Sequence, residues 1–225
     1  MSPEATRPGE DEPRVRHGVR AAAPIAVGPL LFGASFGLLA ESAGMGPAAA
    51  LVMSATTFAG SAQFAAASIL DTGGSAVAAI VAASFLNARY IPLGISVAGI
   101  FPGGPVRRFL EAQLIVDESW AISGRSGRHE RQVLVGAGLL LYVSWVGGTA
   151  VGLVFGSALG DPAAIGLDAA FPALFLALLW PYLKGGRELT AAILAGAIAF
   201  VLIPVAPPGV PIVAASAACL LGLRR

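Results

Sequence analysis

The chain has 225 residues, of which 56% are hydrophobic and only 12% are charged, and its formal net charge is +1. A soluble domain of this length needs many more charged side chains to cover its surface, so the composition excludes an ordinary soluble protein. The near-neutral charge gives no indication of a nucleic-acid partner. The single cysteine, Cys219, excludes an internal disulfide.

In chain order, residues 1–20 are polar and end in a cluster of arginines, which predicts a disordered cytoplasmic tail. A transmembrane helix needs about 20 predominantly apolar residues, and such stretches recur from residue 21 to 223 as a single membrane domain. The stretches are 21–40, 46–70, 73–101, 133–159, 164–183, 189–205 and 208–223. They lack the two-residue alternation of membrane β-strands. We therefore predict an all-α polytopic transmembrane bundle of about six to eight membrane segments.

Basic residues near span ends indicate the cytoplasmic side of the membrane. They cluster before residue 21, within 102–132, within 184–188 and at the C-terminus, so both termini and the long loop are predicted to be cytoplasmic. An even number of crossings must then separate the N-terminus from the loop. We infer that 46–70 enters from outside, breaks near Gly60 and returns, while 73–101 crosses with a bend near Pro92. Three short crossings within 46–101 have the same parity.

A broken helix at membrane depth is tolerated only in a protein interior or beside a water-filled cavity, and transporters build substrate sites from such breaks. Gly60 permits the break, while Ser61 and Gln63 add polar groups. The flanking Phe58 and Phe64 are candidates for apolar contact with a ligand. The alternative for the hydroxyl groups of this segment is helix packing with bonds to the i−4 carbonyl.

Charged and amide side chains also occur near or within the apolar segments. Asn87 and Arg89 lie in 73–101, and an intramembrane arginine is by default a functional candidate, with structural pairing as the alternative. Asp117 and Glu118 follow the cytoplasmic arginines beside Trp120. They are candidates for a gate or for proton handling at the inner mouth, and a solvated charged loop is the alternative.

Glycines recur at helical spacing in two apolar segments. Small residues at such spacing allow close packing of membrane helices. The candidate packing positions are Gly33, Gly37, Gly148, Gly152, Gly156 and Gly160.

Several enzyme signatures are absent or misplaced. Gly33–Gly37 matches the G-x-S-x-G pattern but lies inside an apolar span, and the two histidines, His17 and His129, lie in polar segments. The scarcity of histidine and cysteine argues against a metal site, and no phosphate-binding loop is present. We therefore predict no catalytic residues, no cofactor and no enzyme activity.

The ordered set of motifs resembles the AzlC-type large subunit of branched-chain amino acid exporters. The matching motifs are Phe58–Phe64, Asn87–Arg89, Asp117–Ser119, Leu141–Trp145 with Gly148-Thr149, and Gly166–Asp168 with Phe171–Ala173. The resemblance implies a bacterial inner-membrane protein that exports valine, isoleucine and leucine, and also methionine. It further implies a small AzlD-type membrane partner. Protons are a candidate coupling ion. This chain has Tyr90 at a position where relatives often carry histidine. Tyr90, Asp117 and Glu118 are together the candidates for gating or for coupling transport to protons.

A branched-chain amino acid is a zwitterion with an apolar tail, which suits this residue set. Its carboxylate can be met by backbone N–H groups at a half-helix N-terminus near Gly60-Ser61. Its ammonium can be met by Gln63 or by unwound carbonyls. Alternatively, Arg89 binds the carboxylate, or pairs with an acid when the site is empty. The remaining hypotheses are an assembly subunit without a substrate and, last, an intramembrane enzyme.

Overall fold

The structure is a computed structural model that describes residues 14–125, 128–155, 176, 179–180, 183, 185–206 and 210–218. The helices of these residues are α1 (Arg14–Ala22), α2 (Val27–Ser42), α3 (Pro47–Thr57), α4 (Gly60–Asp71), α5 (Ala76–Asn87), α6 (Tyr90–Val97), α7 (Pro105–Ala112), α8 (Asp117–Ser123), α9 (Arg131–Phe155), α10 (Gly186–Leu202) and α11 (Val210–Ser216). A 3-10 turn, Ala98–Ile100, follows α6, and β1 (Gly124–Arg125) pairs antiparallel with β2 (Arg128–His129). The predicted all-α class is confirmed. The predicted segment 164–183 lies almost wholly outside the described residues.

Within the described part, up to three units are long and apolar enough to cross a membrane, if each bent helix pair counts as one span. Helix α9 meets this criterion alone. The other two are bent pairs: α1 with α2, at 63°, and α5 with α6 and the 3-10 turn, at 45°. These units enclose the shorter helices α3 and α4.

Helix α1 begins inside the segment that was predicted to be a disordered tail. Its arginines are exposed while Gly18 and Ala22 are buried, so the segment is amphipathic. A Cβ on Gly18 would collide with the backbone of Val133 in α9, and a Cβ on Gly136 would collide with that of Val15. Close backbone approach on α9 therefore orders this segment, which the polar composition alone did not indicate.

Helices α2 and α9 pack along their small-residue faces. A Cβ added at Gly33 or Gly37 would meet the backbone of α9 at Trp145 or Thr149. The same holds in reverse for Gly148 and Gly152 against α2. Such approach strengthens dispersion contacts between backbones, which is how helices associate in lipid. Gly156 and Gly160 lie outside the described residues.

The predicted break in 46–70 is confirmed and lies between α3 and α4. Phe58 has φ +40°, in the left-handed region, and Ala59 is extended. The break thus comes just before Gly60, which is the first residue of α4. Glycine is needed there because a Cβ would lie 2.8 Å from Cη2 of Trp145.

The bend in 73–101 lies at Ala88–Arg89, so the prediction of a bend near Pro92 is wrong by about one helical turn. Proline nonetheless explains it. Pro92 has no N–H to donate to the carbonyl of Ala88, four residues earlier, and its ring crowds that oxygen. The interruption therefore appears one turn before the proline and places Arg89 at the bend.

The loop 102–132 is folded rather than extended over the surface. Helix α8 and the turn before it pack on α9, with the Leu114 backbone against Gly138. Helix α7 is tied to the start of α9 through Glu111, which accepts from Arg131 Nε at 2.6 Å and from Arg107 Nε at 2.9 Å. The hydrogen bonds from Arg131, followed by those from Arg107, lower the pKa of Glu111 to about 2. These ion pairs hold α7 against the start of α9.

Candidate functional site

A buried polar network holds the α3–α4 break in place. Gln63 Oε1 accepts from the backbone N–H of Ala59 at 3.2 Å, and Gln63 Nε2 donates to Ser54 Oγ at 3.2 Å. Ser54 Oγ in turn lies 2.6 Å from Thr149 Oγ1 on α9. Gln63 is fully buried in this network. The amide thus satisfies the backbone that the break exposes, and its direct contact with a substrate stays a prediction.

The carbonyl end of α3 is satisfied from two other elements. Tyr142 of α9 donates its hydroxyl to Ala55 O at 2.9 Å, and Gln113 donates Nε2 to Thr56 O at 2.6 Å. The last carbonyls of a helix have no partner within the helix, so these bonds remove a cost that is high at membrane depth. Sequence reasoning missed both hydrogen bonds, because the donors lie 87 and 57 positions from their acceptors, although Tyr142 is part of the Leu141–Trp145 motif.

A cavity of about 120 Å³ opens beside this break. Eight of the residues singled out from the sequence line it together: Phe58, Gly60, Ser61, Phe64, Arg89, Tyr90, Asp117 and Glu118. The other lining residues are Pro29, Phe32, Val116, Leu141 and Trp145. Gln63 and Asn87 are not among them. The cavity therefore brings together α2, α4, the α5–α6 bend, α8 and α9.

One side of the cavity is charged. Arg89 Nη1 lies 3.3 Å from Asp117 Oδ2, and Arg89 Nη2 donates to the Tyr90 hydroxyl at 3.2 Å. The Arg89 guanidinium carbon also lies 5.1 Å from the centre of the Tyr90 ring, within range of a cation–π contact. The side chains of Arg89 and Asp117 are 40% and 44% exposed, so the pair faces open space.

Much of the remaining lining is aromatic. Trp145 stacks on Phe36 with ring centres 6.4 Å apart and meets Phe64 edge-on at 6.0 Å. Phe58 meets Tyr142 edge-on at 5.1 Å. These contacts restrain the rings, so the aromatic part of the cavity lining is fixed and apolar.

Two buried polar atoms in the cavity lining have no hydrogen-bond partner among the described residues: Ser61 Oγ and Trp145 Nε1. Ser61 is 9% exposed and Trp145 is 6% exposed. Buried polar atoms normally have partners, so unsatisfied donors in the wall of a cavity are places for a ligand. Trp145 was not predicted as a site residue; its place in the Leu141–Trp145 motif was the signal that could have indicated it.

Asn87 faces a second, larger cavity of about 610 Å³. The lining is mainly apolar and comes from α3, α4 and α5, including Met53, Leu70 and Ile80. Asn87 Oδ1 is buried there and has no partner among the described residues. The structure therefore separates Asn87 from Arg89, although they are two positions apart in the chain.

The first cavity lies near the middle of the membrane units. Trp145 comes 14 residues after the start of α9 at Arg131, which is about 21 Å at about 1.5 Å per residue. Arg89 lies about 20 Å from the start of α5 and about 17 Å from the end of the 3-10 turn. If α9 and the bent α5–α6 unit each span a bilayer core of about 30 Å, the cavity lies near mid-depth. Asp117, from the long loop, lines the same cavity.

Comparison with known proteins agrees with a membrane site. The model of the AzlC protein family matches residues 24–159. An uncharacterized membrane protein of Archaeoglobus fulgidus is 35% identical over 193 residues, which cover 82% of each chain. The branched-chain amino acid transport protein AzlC of Bacillus subtilis is 29% identical over 159 residues, covering 69% of this chain and 62% of that protein. No solved structure matches. These likenesses indicate a membrane protein with a role in transport.

Proposed function

The chain belongs to the AzlC family, and from this premise we propose that it is a secondary transporter of branched-chain amino acids. Its substrates are valine, isoleucine and leucine, with methionine as a further substrate, and it exports them across the cytoplasmic membrane. It works with a small AzlD-type membrane subunit, with protons as the candidate coupling ion. It is a carrier and not an enzyme.

The observation that carries this proposal is the cavity whose lining combines an ion pair with aromatic rings, midway along the candidate membrane units. Its charged side suits the ionised backbone of an amino acid, and its rings suit a short apolar side chain. Binding sites in transporters form near the bilayer midplane from interrupted helices, and two interruptions meet here, between α3 and α4 and between α5 and α6. An assembly subunit without a substrate has no need of an open charged cavity.

We place both termini and the 102–132 loop in the cytoplasm. Helices α3 and α4 have 11 and 12 residues, each about 17 Å long, so each reaches about half of the bilayer core. They therefore form a re-entrant hairpin that enters from outside and turns at Phe58-Ala59. Helix α8 approaches the same point from the cytoplasmic side. Alternating access follows if movement of the α3–α4 hairpin opens the cavity to the outside and movement of α8 opens it to the cytoplasm, one at a time.

Efflux from proteoliposomes tests the transport proposal. Vesicles that contain the purified chain and its small partner are loaded with labelled valine, and release is followed with and without an imposed pH gradient. We expect release that is faster than from vesicles with no protein, and slower when either subunit is omitted. Labelled lysine is the control, because its charged side chain does not suit the aromatic wall. The proposal is wrong if valine, isoleucine and leucine all remain inside with both subunits present.

A further inference from the structure

The cavity described above contains an ion pair in which neither partner is fully covered. Arg89 comes from the α5–α6 bend and Asp117 from the first turn of α8, so the pair joins two separate elements across the cavity. At membrane depth, an arginine without a counter-charge is costly, which explains why the empty site keeps the two together. Both side chains nevertheless remain nearly half-exposed.

A half-exposed pair is weak compared with a fully enclosed one, because solvent in the cavity screens it. Its two members are therefore available to a ligand that offers each of them a better partner. A carboxylate offers Arg89 two parallel hydrogen bonds, whereas Asp117 now contacts it through one guanidinium nitrogen. An ammonium offers Asp117 up to three donors.

We propose that the ligand is recognised as a free zwitterion that inserts into the Arg89–Asp117 pair, its carboxylate binding Arg89 and its ammonium binding Asp117. This inference rests on the proposed transport function and adds which chemical groups the substrate must carry. Only a ligand with both charges on neighbouring atoms replaces both partners of the broken pair. A ligand with one charge leaves either Arg89 or Asp117 without a counter-charge.

The rest of the lining agrees with this orientation. Phe64 and Trp145 line the same cavity and receive the apolar side chain. The unpartnered Ser61 Oγ is in the first turn of α4, where backbone N–H groups also lack helical acceptors. These donors supply further bonds to the carboxylate. Insertion breaks the ion pair between α8 and the α5–α6 bend, while the hydrogen bond that Trp120 Nε1 donates to Ser96 Oγ at 2.8 Å still joins α8 to α6.

Competition binding tests the inference on the unmodified protein with its partner in nanodiscs. Labelled valine is displaced by unlabelled valine, by isovalerate, which lacks the ammonium, by isobutylamine, which lacks the carboxylate, and by valinamide. We expect each analogue to bind about 10- to 100-fold more weakly than valine, as loss of a charged hydrogen-bonded partner implies. If valine binds and any analogue has an affinity within about threefold of that of valine, the inference is overturned and the transport proposal stays intact. Absence of valine binding and transport overturns the transport proposal itself.

Two variants assign the charges. Asp117→Asn removes the partner of the ammonium, so we expect it to lose the preference for valine over isovalerate and to keep the preference over isobutylamine. Arg89→Gln has the opposite pattern. Asp71→Asn and Arg187→Gln are matched controls, because these residues are exposed and do not line the cavity. If both site variants still prefer valine over isovalerate and over isobutylamine, Arg89 and Asp117 do not bind the charged groups of the substrate.

Discussion

Gly152→Ala is expected to destabilise the protein, although alanine is the better helix former. A Cβ at this position of α9 would collide with the backbone of Ala34 in α2, so the two helices must separate along their length. Overpacking of a close contact costs about 1–3 kcal/mol, and here it also weakens the neighbouring contact at Gly148. We expect a lower melting temperature in detergent and a smaller yield of monodisperse protein.

Gly147→Ala is the matched control on the same helix. Nothing lies within 4 Å of a Cβ built there. The substitution removes flexibility from the unfolded chain and improves helix propensity, so we expect a gain of about 0.5–1 kcal/mol. The two neighbouring glycine substitutions should therefore have opposite signs. Equal effects at both positions would show that α2 and α9 are not closely packed in the membrane.

Gln63→Leu is expected to destabilise the α3–α4 break. Leucine fills a similar volume but leaves the Ala59 N–H without its acceptor and removes a donor from Ser54. A buried group left without a partner costs about 1–3 kcal/mol. We expect the unfolding temperature and the yield to fall. Valine binding per folded molecule should stay within about threefold of the unmodified protein, because Gln63 does not line the cavity.

Gln132→Leu provides the control for this substitution. Gln132 is exposed near the start of α9, so exchanging its amide should leave stability within about 0.5 kcal/mol. If Gln63→Leu does not lower the stability, the amide does not hold the α3–α4 break in place. If Gln63→Leu yields stable protein that no longer binds valine, Gln63 contacts the substrate directly.

Much of the architecture could be predicted because it depends on local patterns. Apolar length indicates the spans, and charge asymmetry together with Gly60 indicated the broken segment, which the structure confirms. The bend at Ala88–Arg89 was misplaced because proline acts on the carbonyl one turn earlier, and the sequence pattern marks only the proline. The order in α1 depends on a tertiary contact with α9, which local composition does not reveal.

The site was harder to predict, because its pairings are long-range. Arg89 was expected either to bind a ligand or to pair with an acid, and only the folded chain brings Asp117, 28 positions away, within 3.3 Å of it. Gln63 looked like a ligand contact because an amide at membrane depth needs a purpose. The structure shows that this amide accepts a hydrogen bond from the exposed backbone of the break, where the donor is the Ala59 N–H only four residues away. Burial in lipid thus indicates which polar residues matter and leaves open what they contact.

Protection of a cysteine in the cavity by valine tests the central claim, that the substrate binds where α4, the α5–α6 bend, α8 and α9 meet. Glu118→Cys places a thiol in the lining, and Ala121→Cys places one on the same helix outside it, both with Cys219 replaced by serine. We expect valine to slow labelling by a small thiol reagent at position 118 and to leave position 121 unchanged. Equal rates with and without saturating valine at position 118, in protein that still transports it, would contradict the account.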